Sequence, residues 1–222
     1  MTWPLFIVAA YLIGSIPFGV IIARSRGVDI TAHGSGNVGA TNVGRVLGRR
    51  LGLLCFLLDV SKGAAPVFAA GMAHDLVGRP AISVAASESW WWLGVAVAAL
   101  AGHMASIFLR FRGGKGVATA FGGLLAIWPT LGGPVLIAFG VWVLVVLATR
   151  MVSLASMVAA VVLPAATITL MLTASVADPA GDVWSRRTPA IAASVVIALL
   201  VLWRHRSNLR RVLAGTEHRV GS

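Results

Sequence analysis

The stretch 33-HGSGNVGATNVGR-45 decides how the rest of this chain is read. Gly34, Gly36 and Gly39 reproduce the spacing GxGxxG. In a dinucleotide-binding fold that fingerprint joins a strand to a helix, and an acidic residue follows about twenty positions on. Here GVDITAH precedes it, directly after an apolar run, and no βαβ unit can be drawn around the glycines. Asp59 has the right separation from Gly39 but lies inside another apolar run. Glycines spaced for helix packing are the structural alternative, yet such patterns sit within apolar segments, whereas this one carries Ser35, Asn37, Thr41, Asn42 and Arg45. The remaining reading is a loop whose glycines turn backbone N–H groups toward an anion, with hydroxyl and amide donors beside them and a guanidinium closing the shell.

The loop belongs to a chain made for lipid. With 58% apolar and 11% charged residues among 222, the sequence cannot hide its hydrophobic surface in one soluble core. Its single cysteine, Cys55, lies in an apolar run and reads as a small core or lipid-facing residue. The N-terminus has no basic leader region and reads as a retained first span. Trp3 to Ala23, Trp90 to Leu109 and Met151 to Ala177 are runs of spanning length. Leu51 to Ala73 is apolar apart from Asp59 and Lys62, and Pro189 to Trp203 is short but bounded by Arg186, Arg187 and Arg204, whose long side chains can reach the interface. Gly116 to Thr149 is too long for one comfortable span and short for two, and 129-PTLGGP-134 near its middle predicts two helices joined by a turn.

The net charge of +11, from 18 Lys and Arg against 7 Asp and Glu, supports the same division. With seven spans, Arg24, Arg26, Arg45, Arg49, Arg50, Arg110, Arg112, Lys115, Arg150 and the basic tail from Arg204 to Arg219 fall on one side, and only Arg79, Arg186 and Arg187 on the other. The expected architecture is therefore an all-α, multi-pass membrane bundle of seven transmembrane helices, N-terminus out and C-terminus in, with residues 1–222 forming a single domain. Orientation then accounts for most of the basic surplus. Nucleic acid is not an expected partner, because no base-stacking aromatics are interleaved with the cations.

This topology puts three polar segments on the cytoplasmic face. The second, 110-RFRGGKGVAT-119, fails as a Walker A motif, which would need Gly at Leu109 and Ser or Thr at Gly116. Lys115 between Gly114 and Gly116 is instead an ammonium at the start of a helix, where helix amides also favour anions. In the third, 205-HRSNLRRVLAGTEH-218, His205, Asn208 and Arg211 recur at intervals of three, on one side of a helix expected to continue from the last span, with Glu217 nearby.

GSIPFG at 14–19, GSGNVGATNVGR at 34–45, GHMASIFLRFRGGKGVAT at 102–119 and HRSNLRRVLAGTE at 205–217, in that order, resemble the bacterial membrane glycerol-3-phosphate acyltransferases that use acyl phosphate, the PlsY family. The resemblance implies a seven-helix inner-membrane enzyme that moves a fatty acyl group from acyl phosphate to the 1-hydroxyl of sn-glycerol 3-phosphate, giving lysophosphatidate and phosphate. It implies catalytic roles for Ser35, Arg45, Lys115, His205 and Asn208. Around the phosphates it also places Asn37 and Thr41, with Gly34, Gly36, Gly39, Gly113, Gly114 and Gly116 shaping the binding loops; it adds Ser153 on the same face as a binding candidate and Glu217 as an organiser or a ligand of the acceptor glycerol, while the spacing of the third segment sets Arg211 beside them. Two departures from the family pattern are Met104-Ala105-Ser106, where an aromatic followed by proline is usual, and Arg112, where lysine is usual.

These residue types suit that chemistry. Both substrates carry phosphate, so cations and donors must offset repulsion between two anions. An acyl phosphate is already activated, and the sequence lacks GxSxG, a cysteine outside the spans and HxxxxD. Direct attack by the glycerol hydroxyl is expected, its proton taken by His205 or, as the resemblance implies, by a substrate phosphate. Neither metal nor cofactor is expected, since the five histidines are scattered and carboxylates are few. A transporter or channel for a phosphorylated solute is the alternative from another class, although paired repeats and midplane helix breaks are not visible.

Overall fold

The computed structural model describes residues 2–173 and 183–221, and among these all regular structure is helical. The helices are α1 (Trp3–Ser15), α2 (Phe18–Arg24), α3 (Ala40–Leu47), α4 (Arg49–Ala73), α5 (Ala86–Met104), α6 (Val117–Ala126), α7 (Gly132–Thr149), α8 (Val152–Thr173), α9 (Val183–Arg204) and α10 (Arg206–Leu213). Among the described residues, six segments are long and apolar enough to cross a bilayer: Trp3–Arg24, Arg49–Ala73, Ala86–Leu109, Gly132–Thr149, Val152–Thr173 and Trp184–Arg204. Val117–Ala126 is a shorter apolar helix. Large apolar side chains such as Leu144 and Leu147 remain exposed on these segments, as a lipid-facing surface requires.

Most expected segments form, with instructive differences at their ends. The region 116–149 does make two helices, α6 and α7, divided at the proline-containing turn. The first span is interrupted at Ile16–Pro17, because proline has no N–H to continue the ladder. Helical bonding restarts when the Val20 and Ile21 amides donate to the Pro17 carbonyl at 3.0 Å each. The last helix begins at Val183 and its span at Trp184, not at Pro189, so Arg186 and Arg187 lie within the span and do not bound it. There Arg186 Nη1 donates to the Ile82 carbonyl, which anchors the early turns that a boundary drawn at proline omits. Residues 174–177 of the expected third long run lie outside the described residues.

Contacts divide the chain into two compact units, one comprising residues up to Val77 with Gly94–Ile127, the other Gly78–Leu93 with residues from Trp128 onward. In the first, α4 is the axis against which α1, α2, α3 and α6 pack. Glycines let α4 and α6 approach backbone to backbone. A Cβ at Gly63 would overlap the Thr119 carbonyl oxygen, and one at Gly122 the Val60 carbonyl oxygen. Beside this seam Val20, Ile22, Ala23, Ile30, Val43 and Cys55 form a buried apolar cluster, onto which α3 folds Val46 and Leu47. That cluster fixes the base of the first glycine loop. In the second unit α7, α8 and α9 pack in sequence, and the amphipathic α10 rests on α8 and α9.

The α4–α6 seam yields a direct test. A methyl group that meets main-chain oxygen cannot be accommodated by a rotamer change, so Gly122→Ala is expected to destabilise by about 1–3 kcal/mol. The unfolding temperature of the detergent-solubilised protein should then fall by roughly 3–10 °C. Gly140→Ala, where a Cβ meets nothing within 4 Å, should leave it unchanged or raise it.

Candidate active site

The first loop is organised by a residue to which the sequence reading gave no site role. Asn42, in the first turn of α3, is 1% exposed. Its Nδ2 donates to the carbonyls of Ile30 (3.2 Å), His33 (3.0 Å) and Asn37 (2.9 Å), while its Oδ1 accepts from the Ser35 amide at 2.8 Å. Gly34 and Gly36 have φ of 59° and 68°, and a Cβ at Gly34 would overlap Asn42 Oδ1, so glycine is required there. The Gly36 amide donates to the His33 carbonyl at 3.1 Å, and the Gly39 amide to Asn37 Oδ1 at 2.8 Å.

The amides of Ser35, Gly36 and Gly39 are thus consumed in folding the loop, contrary to the expectation that the glycines turn them toward an anion. The donors left at this end include those of the helix start. Ala40 and Thr41, the first residues of α3, have no intrahelical acceptor for their N–H groups. Ser35, Thr41 and Arg45 are exposed beside them, and Asn37 is half-buried with its side-chain oxygen turned onto Gly39.

The second loop is fastened to the end of α5. After Met104 the chain makes a short 3-10 turn at Ile107–Leu109 and reverses through Arg110 and Phe111, both at positive φ. The Gly113 amide donates to the Met104 carbonyl (3.2 Å) and the Gly114 amide to the His103 carbonyl (3.1 Å). A Cβ at Gly113 would overlap the His103 carbonyl oxygen, and one at Gly114 the His103 ring. Gly116, at φ 81°, caps α6. Half-buried Lys115 is thereby set immediately before the helix, where the sequence placed it.

The third segment differs from the continuous helix expected. α9 ends at Arg204, and α10 starts at Arg206. Between them His205, 2% exposed, shares its amide between the Val201 and Leu202 carbonyls at 3.0 Å each, and its ring Nδ1 lies 2.8 Å from the Val201 carbonyl oxygen. A carbonyl can only accept, so Nδ1 holds the proton and Nε2 is the basic atom of the neutral ring. The doubled use of this turn's carbonyls interrupts the helix.

α10 closes with a Schellman turn. The Thr216 amide donates to the Arg211 carbonyl (2.8 Å) and the Gly215 amide to that of Val212 (3.1 Å), with Gly215 at φ 69°. The turn folds Glu217 back against its own helix. Glu217 Oε1 accepts from Ser153 Oγ and Asn208 Nδ2, and Oε2 from Arg211 Nε, all at 2.7 Å, with the carboxylate side chain 5% exposed. Burial opposes ionisation of Glu217, but the hydrogen bonds from Asn208, Ser153 and Arg211, with the Arg211 charge, outweigh it and hold the carboxyl below its ordinary value. Ser153, Asn208, Arg211 and Glu217 are therefore one hydrogen-bonded group. The first two predicted segments belong to the first unit and this group to the second.

Glycine-shaped loops bearing cations at the ends of lipid-facing helices define a multi-pass membrane protein equipped for anionic ligands. The model of a family described as glycerol-3-phosphate acyltransferase matches residues 4–215. Proteins named glycerol-3-phosphate acyltransferase from Thermus thermophilus and Geotalea daltonii are 44% and 42% identical over 220 and 212 residues, covering 99% and 96% of this chain and 94% of each relative. Crystal structures of PlsY (YgiH), an integral membrane glycerol 3-phosphate acyltransferase, match with TM-scores of 0.81 for the glycerol 3-phosphate form and 0.79 for the lysophosphatidic acid form. Both are 36% identical and cover 100% of this chain and 96% of theirs. The chain belongs to the glycerol-3-phosphate acyltransferase family and is an integral membrane acyltransferase of the PlsY type.

The Glu217 group has a pH signature of known sign. Because its folded-state carboxyl titrates below the ordinary value of 4.5, its stabilising contribution is complete above that value and is lost as pH falls through the lower one. Glu217→Gln should lower stability at pH 7 by about 1.5–3 kcal/mol, the loss of a charge-assisted bond. The deficit should shrink as pH is lowered below 4.5. Melting curves of both proteins between neutral and acid pH check this, and a deficit independent of pH would contradict it.

Proposed function

We propose that this acyltransferase moves the acyl group of an acyl phosphate to the 1-hydroxyl of sn-glycerol 3-phosphate, releasing lysophosphatidate and inorganic phosphate in the first step of phospholipid synthesis. The observation that carries this reading is the end-to-end likeness to an acyltransferase solved in both glycerol 3-phosphate and lysophosphatidic acid forms. The whole chain, 1–222, acts as a single acyltransferase domain in the bacterial inner membrane. The short apolar helix Val117–Ala126 serves as a seventh span, which places the N-terminus outside and the loops around Ser35, Lys115 and His205 on the cytoplasmic side.

In this mechanism the glycerol oxygen attacks the acyl carbonyl carbon, the new ester C–O bond forms, and the C–O bond to phosphate breaks with its electron pair leaving on phosphate. The hydroxyl proton passes to a substrate phosphate or to His205 Nε2. Arg45 and Lys115 offset the charge of the two phosphates, a stabilisation that matters most as charge shifts to the leaving group. Ser35 and the first amides of α3 add donors at the first loop. Asn208, held by Glu217, presents a positioned amide, and Ser153 and Arg211 share in binding through the same carboxylate.

Purified protein given glycerol 3-phosphate should form lysophosphatidate with acyl phosphate and not with acyl-CoA; the reverse would overturn the donor assignment. Lys115→Ala should lower kcat/KM by roughly 10² to 10³, the cost of one electrostatic donor, with folding preserved. Arg45→Lys should also be impaired, because an ammonium cannot form the guanidinium fork. For sidedness, cysteines at Ser35, Arg112 and Ser207 in a Cys55→Ala background should react with an impermeant thiol reagent only from the cytoplasm. Labelling of any of them from outside would contradict the topology.

A further inference from the structure

The first unit buries a charged cluster for which the roles assigned above have no use. Asp59 and Lys62, one turn apart on α4, are 2% and 4% exposed, and His103 near the end of α5 is 7% exposed. Lys62 Nζ lies 2.7 Å from Asp59 Oδ1, donates to the Ile16 carbonyl at 2.8 Å and sits 5.6 Å from the centre of the Phe18 ring. His103 Nδ1 is 3.7 Å from the same Asp59 oxygen. A span needs no charge to cross a bilayer, and ionisable groups inside spans are expensive. A buried ion pair also adds little net stability over apolar packing of the same volume. Stability alone therefore gives no reason for the cluster.

Its neighbours give one. Together with Ser15, Pro17, Gly19, Val38 and Ser106, the three residues line a small pocket with both polar and apolar walls. Ile16 and Pro17 form the break between α1 and α2, Val38 belongs to the first glycine loop, and a Cβ at Gly19 would overlap the Val38 carbonyl oxygen. Toward the second loop, the His103 ring packs so closely on Gly114 that a side chain there would overlap it, and the His103 carbonyl holds the Gly114 amide. The next residue is Lys115.

We propose that Asp59, Lys62 and His103 are positioning residues that set the Lys115 ammonium for acyl transfer. Lys62 ties Asp59 to the α1–α2 break, the Asp59 carboxylate acts on the His103 ring through its charge at 3.7 Å, and the ring and carbonyl of His103 fix Gly113 and Gly114. This rests on the role given to Lys115 above. Small misplacements of a catalytic group are costly, a shift of 1 Å being enough for about 10²-fold.

The test is a cycle of kcat/KM values in the full-length enzyme, in wild-type and Lys115→Ala backgrounds. Asp59→Asn/Lys62→Met removes both charges together, and His103→Gln keeps hydrogen-bonding capacity while losing the ring. Each is expected to lower kcat/KM by about 10- to 100-fold in the wild-type background, at an unfolding temperature within a few degrees of wild type. In the Lys115→Ala background the same changes should cost less than about threefold, since there is no ammonium left to misplace. A Lys115→Ala enzyme as active as wild type would instead remove the role of Lys115 itself. Equal losses in both backgrounds, wild-type activity in the cluster variants, or their failure to fold would overturn the positioning assignment and leave Lys115 as it stands.

Discussion

Two main-chain hydrogen bonds, from the Gly113 and Gly114 amides to the Met104 and His103 carbonyls, fix the main chain from which Lys115 projects. They form only because neither residue has a side chain, since a Cβ at either position would occupy space held by His103. The first loop follows the same design with a different fastener. Asn42 replaces main-chain bonding with one buried amide that ties three carbonyls and one N–H into a single turn. In the second unit a buried carboxylate, Glu217, does the equivalent work for Ser153, Asn208 and Arg211. Polar groups in each case are spent on holding the chain still, and under the proposed mechanism this leaves Arg45, Lys115 and the helix-start amides for the ligand. An enzyme that must bring two phosphates together gains from this arrangement, because preorganised charge need not reorient as the acyl group moves.

Much of the fold was legible because bilayer thickness converts composition into length. Pro129 and the turn around it divided 116–149 into two helices in the sequence, and the structure divides it likewise. Proline misled at the last span, where Pro189 lies inside α9 and the helix begins earlier. The interruption at His205 was not visible either, since it comes from a side chain bonding back to its own helix.

The site was legible as residue types and not as connections. The glycine spacing marked both loops correctly, but their amides proved to be internal fasteners. Asn42 carried a faint signal, an amide at a position that α3 must bury. Glu217 carried a stronger one in 213-LAGTE-217, where glycine just past a helix predicts the Schellman turn that returns the carboxylate to Asn208 and Arg211. Asp59, Lys62 and His103 could not be connected from sequence, since His103 reaches the α4 pair only when the end of α5 is folded against it.

The central claim is that the amides of Gly36, Gly39, Gly113 and Gly114 are fastened within their own loops, which leaves cations and helix-start amides for phosphate. Amide hydrogen exchange in lipid nanodiscs, read by mass spectrometry with and without glycerol 3-phosphate, tests it directly. Gly113, Gly114, Gly36 and Gly39 should exchange slowly in the free enzyme and change little on addition of substrate, while Ala40 and Thr41 should become protected. Glycine amides that exchange freely in the free enzyme and gain protection only with glycerol 3-phosphate would contradict it.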